Sequence, residues 1–150
     1  MTTRPGTPLG VRSIARVLLG GLLLLAGIGH LSWARTSFLA QVPDWVPGDP
    51  DAIVVASGVV EILLGTALIG ARTKRMEVGW VAAAFFVAVF PGNISQFVSH
   101  KAAFGLNSDV ARGVRLLFQP LLVFWALWST SPPVKRLTRH LRRDHPDIVG

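Results

Sequence analysis

Four apolar stretches, at residues 15–34, 52–71, 78–97 and 110–128, dominate this 150-residue chain. Each approaches the roughly 20 residues that a helix needs to cross the hydrocarbon core of a bilayer. Backbone in lipid must satisfy its own polar groups, so stretches of this kind become helices. The chain is 51% hydrophobic and 15% charged, against about 25% charged for a typical soluble domain. A soluble chain this small has too little interior to hide that much apolar surface. The expected fold is all-α: an integral membrane four-helix bundle in one domain, 1–131, followed by a basic tail, 132–150. The fourth stretch is the weakest, because Arg112 and Arg115 interrupt its beginning. The first is longer than the apolar segment of a signal peptide and lacks an A-x-A cleavage site after it, so it is read as a retained span.

The basic residues set the expected orientation. Eleven of the 15 lie in the N-terminal arm, between the second and third stretches (Arg72, Lys74, Arg75) or in the tail. Arg35, Lys101, Arg112 and Arg115 fall on the other side. Lys and Arg concentrate on the cytoplasmic face of membrane proteins, which puts both termini in the cytoplasm of a multi-pass protein of the cell membrane. The net charge of +7 is explained by this placement, and the expected partner is the lipid bilayer rather than nucleic acid. The tail reads first as a solvated stop-transfer segment. Leu137 and Leu141, one helical turn apart, allow a second reading as a short amphipathic helix on anionic lipid.

The loop at 35–51 contains VPDWVPGDPD, with three prolines and Gly48 to prevent a long helix and three aspartates to keep it wet. Trp33 and Trp45 suit the headgroup level. The loop reads first as an interfacial connector and second as a lid over a pocket that opens outward.

Glu61 stands alone as a charge in the middle of the second stretch. At 1.5 Å per residue it lies roughly 14 Å from the end at residue 52, close to the midplane. A carboxylate at that depth needs a partner, a proton or a wet pocket. The other stretches also place polar groups in their outer halves: His30 in the first, Asn93 and Gln96 in the third, Arg115 and Gln119 in the fourth. Helical spacing groups them as Ser57–Glu61–Gly65, Asn93–Gln96–His100 and Arg112–Arg115–Gln119. Pro91 and Pro120 sit beside two of these groups, and each leaves a carbonyl one turn back without its donor. The candidate ligand or proton site is therefore His30, Ser57, Glu61, Asn93, Gln96, Arg115 and Gln119.

Chemistry is bounded by what is missing from the sequence. With no Cys and no Tyr, disulfides, thiolate metal sites, dithiol relays and tyrosyl acids or radicals are excluded. His30, Glu61 and His100 lack the E-x-x-H spacing of a metal site, so no metal is expected. There is no nucleophile elbow, P-loop or dinucleotide fingerprint. No cofactor is detectable, and autonomous catalysis is not expected. The first hypothesis is a ligand-binding or accessory subunit of a membrane redox complex. Its pocket around Glu61 would bind a quinone or relay protons, with His30 as proton partner, Asn93 and Gln119 bonding a carbonyl, and Phe85, Phe86, Phe90 and Phe118 as apolar wall. The alternative is a structural anchor or assembly factor that recruits a soluble enzyme through the tail, with Glu61 and Arg115 as a buried ion pair that sets helix register. Oligomeric state is not legible. Gly20, Gly21, Gly27 and Gly29 suit packing either within the bundle or between protomers.

Four strings, GIGHLSWARTSFLAQVPDWVP (27–47), ASGVVEILLG (56–65), VFPGNISQF (89–97) and RLLFQPLLVFWALW (115–128), together resemble the DoxX-like family of small four-span membrane proteins. The ordered set G-x-x-H, S-G-x-x-E, F-P-x-N and R-x-x-x-Q-P carries the resemblance, over about residues 15–130. It implies a four-helix bundle with both ends cytoplasmic and motif positions at His30, Glu61, Asn93, Arg115 and Gln119. Some members look like subunits of thiosulfate:quinone oxidoreductases, and others are linked to membrane-associated oxidative-stress complexes. The branch tied to thiol chemistry in methylamine dehydrogenase maturation has no chemical basis in a chain without Cys.

Overall fold

The structure, a computed structural model, describes residues 10–99 and 108–132. It is all-helical, and no strand occurs among the described residues. The elements are α1 (Val11–Leu31), α2 (Arg35–Leu39), α3 (Pro50–Gly70), α4 (Arg75–Val98) and α5 (Asp109–Thr130). Among them α1, α3 and α4 are long and apolar enough to cross a membrane. α5 has 22 residues and occupies the expected fourth stretch. The tail beyond residue 132, His100, and the side chain of Arg112 lie outside the described residues.

The helix limits follow local chemistry. Pro50 opens α3 at a position where its missing N–H is not needed, and Asp49 caps the same end by accepting from the Ala52 amide at 3.2 Å. The proline-rich loop read from the sequence thus supplies the start of the second long helix. Gly48 before it has φ +111°, a conformation other residues rarely adopt. Pro91 and Pro120 lie inside α4 and α5, which continue through them.

α1 packs chiefly on α3, α4 chiefly on α5, and α1 also meets α5, whereas α3 and α4 touch sparsely. The α1–α3 seam is a stripe of buried Arg16, Gly20, Leu23, Gly27 and His30 facing buried Val54, Gly58, Glu61, Gly65 and Leu68. Both stripes advance in steps of four and three, the spacing of a closely packed antiparallel helix pair. A Cβ on Gly20 would sit 2.7 Å from the Gly65 carbonyl oxygen, and one on Gly27 would sit 2.6 Å from that of Gly58. Only glycine permits this approach, in which van der Waals contact and Cα–H···O bonds take the place of a hydrophobic force that lipid does not supply. Gly20 and Gly27 therefore pack within the chain, while Gly21 meets nothing.

We call the two ends of the bundle the turn end, at residues 71–74, and the loop end, at 32–49. The packed core is Leu19, Leu23, Leu64, Leu68, Ala82, Ala83, Phe86 and Ala126, and it fills the half toward the turn end. That end is also tied by polar bonds. The Trp125 indole donates to the Ala15 carbonyl at 2.9 Å, Arg16 donates to the Ala71 carbonyl, and Arg12 reaches the Ser131 and Pro132 carbonyls at 3.0 and 2.9 Å.

Candidate functional site

Toward the loop end the helices stand apart around a cavity of about 820 Å³. Its wall is mostly apolar and includes Leu19, Leu23, Val54, Val60, Phe86 and Leu122. Six of the seven site residues named from the sequence line it: His30, Ser57, Glu61, Asn93, Arg115 and Gln119. Gln96 does not. It is 2% exposed and lies one turn past Asn93, packed into the protein. Of the four phenylalanines expected as wall, Phe85 and Phe86 line the cavity, and Phe90 and Phe118 do not. Phe118 points outward, 55% exposed.

Polar groups around the cavity are held in pairs, each joining two elements. On the α1–α3 side, His30 Nδ1 is 2.9 Å from Glu61 Oε2 and 3.0 Å from the Ala26 carbonyl oxygen. A carbonyl can only accept, so the contact with Ala26 assigns the proton to Nδ1. One N–H cannot aim well at two acceptors. Glu61 Oε2 is thus close to the ring but lacks an aligned hydrogen bond. Both residues are buried, at 6% and 8% exposure.

On the α4–α5 side, Asn93 donates to Gln119 Oε1 at 3.0 Å, and Gln119 Nε2 donates to the Phe86 carbonyl at 2.7 Å. Gln119 was expected to bond a ligand carbonyl. Its amide is instead engaged at both ends, and it orients Asn93. Pro91 has no N–H for the carbonyl of Val87, and the acceptor that Gln119 serves is the neighbouring one.

The third pair joins α5 to the loop, where Arg115 donates to Gln41 Oε1 at 2.9 Å. The Glu61–Arg115 ion pair of the structural alternative is therefore not the pair formed, since Glu61 meets His30 on the neighbouring seam. Gln41 Nε2 is buried without a hydrogen-bond partner.

The loop is more than an interfacial connector. Phe38, Gln41, Val42, Pro43, Trp45 and Val46 all line the cavity. Phe38 stacks on the His30 ring, with centroids 3.3 Å apart and planes at 16°. Arg35 donates to Asp51 Oδ1 at 2.6 Å and pairs with its second oxygen, fastening α2 to the first turn of α3. That bond holds the Arg35 guanidinium above its ordinary pKa. The sequence reading missed Gln41 and Phe38. The available signal was the apolar content of 38–46, too high for a loop whose only surroundings are water.

No three His, Asp or Glu side chains converge among the described residues in a way that would hold a metal ion. The cavity lining offers instead one buried carboxylate, one imidazole, three amides, a hydroxyl and a guanidinium around apolar walls. Such a site can hold a mostly apolar molecule by its polar end and can exchange a proton with it.

The chain belongs to the family described as Domain of unknown function (DUF8561), whose model matches residues 19–130. That span contains every residue lining the cavity, from Leu19 to Leu122. No curated protein and no solved structure matches the chain.

Proposed function

We propose that this member of the family is a four-span protein of the cell membrane, with both termini cytoplasmic, that binds a small amphipathic molecule in the cavity. The simplest such molecule is a quinone, and the protein would act as an accessory subunit of a membrane redox complex. The single observation that supports this most is the buried His30–Glu61 contact, 2.9 Å long, on the wall of a largely apolar cavity of about 820 Å³. An ionisable pair in the membrane interior is a functional feature by default. A cavity of this size falls within the range that encloses small ligands. The positive-inside pattern supports an orientation with the cavity in the outer half of the membrane.

In this reading Glu61 takes or gives a proton at the ligand's polar end, with the His30 ring close beside its carboxylate. Asn93, held by Gln119, and Gln41, held by Arg115, supply hydrogen bonds to ligand oxygen. Full reduction of a quinone consumes two electrons and two protons. The electrons come from a redox partner, because the chain contains no recognisable carrier site. The resemblance to DoxX-like proteins, some of which look like quinone-linked subunits, points the same way.

The test is binding of a panel of quinones and neutral lipids by the purified protein, with wild type compared to Glu61→Gln. Binding by wild type that weakens at least tenfold in an equally folded variant is the expected result. Absence of binding across the panel by wild type would overturn the reading.

A further inference from the structure

The roof of the cavity is anchored on every side. Phe38 stacks on His30 of α1, and Arg35 pairs with Asp51 of α3. Arg115 of α5 holds the Gln41 side chain. On α4, the Gln41 carbonyl oxygen lies so close to Gly92 that a Cβ there would approach it to 3.1 Å. A molecule entering through the loop end would have to break several of these contacts at once.

The side between α3 and α4 differs. These helices are joined by the short turn at 71–74, and helices joined that way ordinarily pack along their length. Here they touch sparsely. The residues that line the cavity from these two helices include Ala56 and Val60 on α3 and Ala88 and Gly92 on α4; Ala56, Val60 and Ala88 are exposed and Gly92 is half-buried. Three of the four are among the smallest residues available. A gap edged by small and mostly exposed residues, at a depth where the surroundings are acyl chains, opens to lipid rather than to water.

We infer that the ligand of this cavity is a tailed lipid with a neutral polar head, which enters sideways from the bilayer between α3 and α4 and leaves its tail in that gap. The inference rests on the ligand-binding reading above and adds to it the route and the chemical class. The unpartnered Gln41 Nε2 calls for an acceptor on the head, and Glu61 Oε2, without an aligned donor, calls for a hydroxyl. One acidic, one basic and one imidazole side chain around the head favour a neutral group over a charged one. A quinol with a hydrocarbon tail meets these demands, and so does a neutral acylglycerol.

The experiment uses the full-length protein in phospholipid vesicles and a decyl-tailed benzoquinone with a photoreactive diazirine at the end of its tail. Label that is competed by unmodified decyl quinone and maps to α3 and α4 around Ala56, Val60, Ala88 and Gly92 is the expected result. Ala88→Phe, which narrows the gap from the exposed side, should slow association of the tailed quinone at least tenfold, whereas Leu63→Phe, on a lipid-facing position away from the cavity, should not. Competable label on the roof at 42–46, or equal rates in both variants, would overturn the lateral route while leaving the cavity reading in place. No competable label anywhere would overturn both.

Discussion

At the turn end, Leu19, Leu68, Ala82 and Ala126 are closed over almost completely. At the loop end the same long helices stand around about 820 Å³ of space. The difference lies in what fills the gaps between helices. Toward the turn end the gap is filled by side chains and by the Gly20–Gly65 contact, and backbone carbonyls are bound by Arg12, Arg16 and Trp125. Toward the loop end it is bridged by polar pairs that reach across a space without filling it. Under the proposed binding function, stability and binding are separated along one helix axis. Substitutions in the two halves should therefore have opposite signatures.

The largest expected effect is at the seam. Gly65→Leu would drive a side chain into the backbone of α1, because even a Cβ there would sit 2.6 Å from the Gly20 carbonyl oxygen. Overpacking of this kind costs about 1–3 kcal/mol or more, so thermal unfolding of the purified protein should occur well below that of wild type. A melting temperature equal to wild type would show that the helices do not cross at this point.

Leu68→Ala at the turn end leaves a hole in a fully buried position, with a loss on the order of 2 kcal/mol. Ligand affinity should hold within about a factor of two. Glu61→Gln should show the reverse: at least a tenfold loss of ligand affinity with a melting temperature close to wild type. If both variants lost stability and binding in parallel, the two halves would be one cooperative unit and the comparison would fail.

A smaller effect is expected at the roof. Phe38→Ala removes the ring stacked on His30, a contact worth about 1 kcal/mol. The ligand should dissociate several-fold faster, measured by stopped-flow competition, with little change in the melt. The smallest effect belongs to Arg35→Ala. Its pair with Asp51 is about two-fifths exposed, and exposed pairs of this kind add little to stability. A change in ligand dissociation larger than that of Phe38→Ala would make the α2–α3 clasp, rather than the aromatic stack, the main fastening of the roof.

What the sequence by itself determined is the set of long helices and the polar residues embedded in them. Hydropathy over about 20 residues and the isolation of Glu61 are properties of consecutive residues, and each polar group in an apolar stretch announces itself. The α4–α5 amide pair is also within reach of the sequence, since Asn93 and Gln119 each sit beside a proline in the outer half of an apolar stretch. The tertiary structure alone decided who meets whom. Glu61 meets His30 rather than Arg115 because the Gly20–Gly65 and Gly27–Gly58 contacts set the α1–α3 register. Gln96 stays out of the cavity because, although it shares a face with Val89 and Asn93, it lies one turn beyond the last lining residue of α4 and is packed into the protein. The loop becomes a roof because Phe38, Val42 and Val46 find an apolar hollow beneath them. Pairing across helices depends on rotation and offset between segments distant in the chain, and no local pattern of one sequence encodes those quantities.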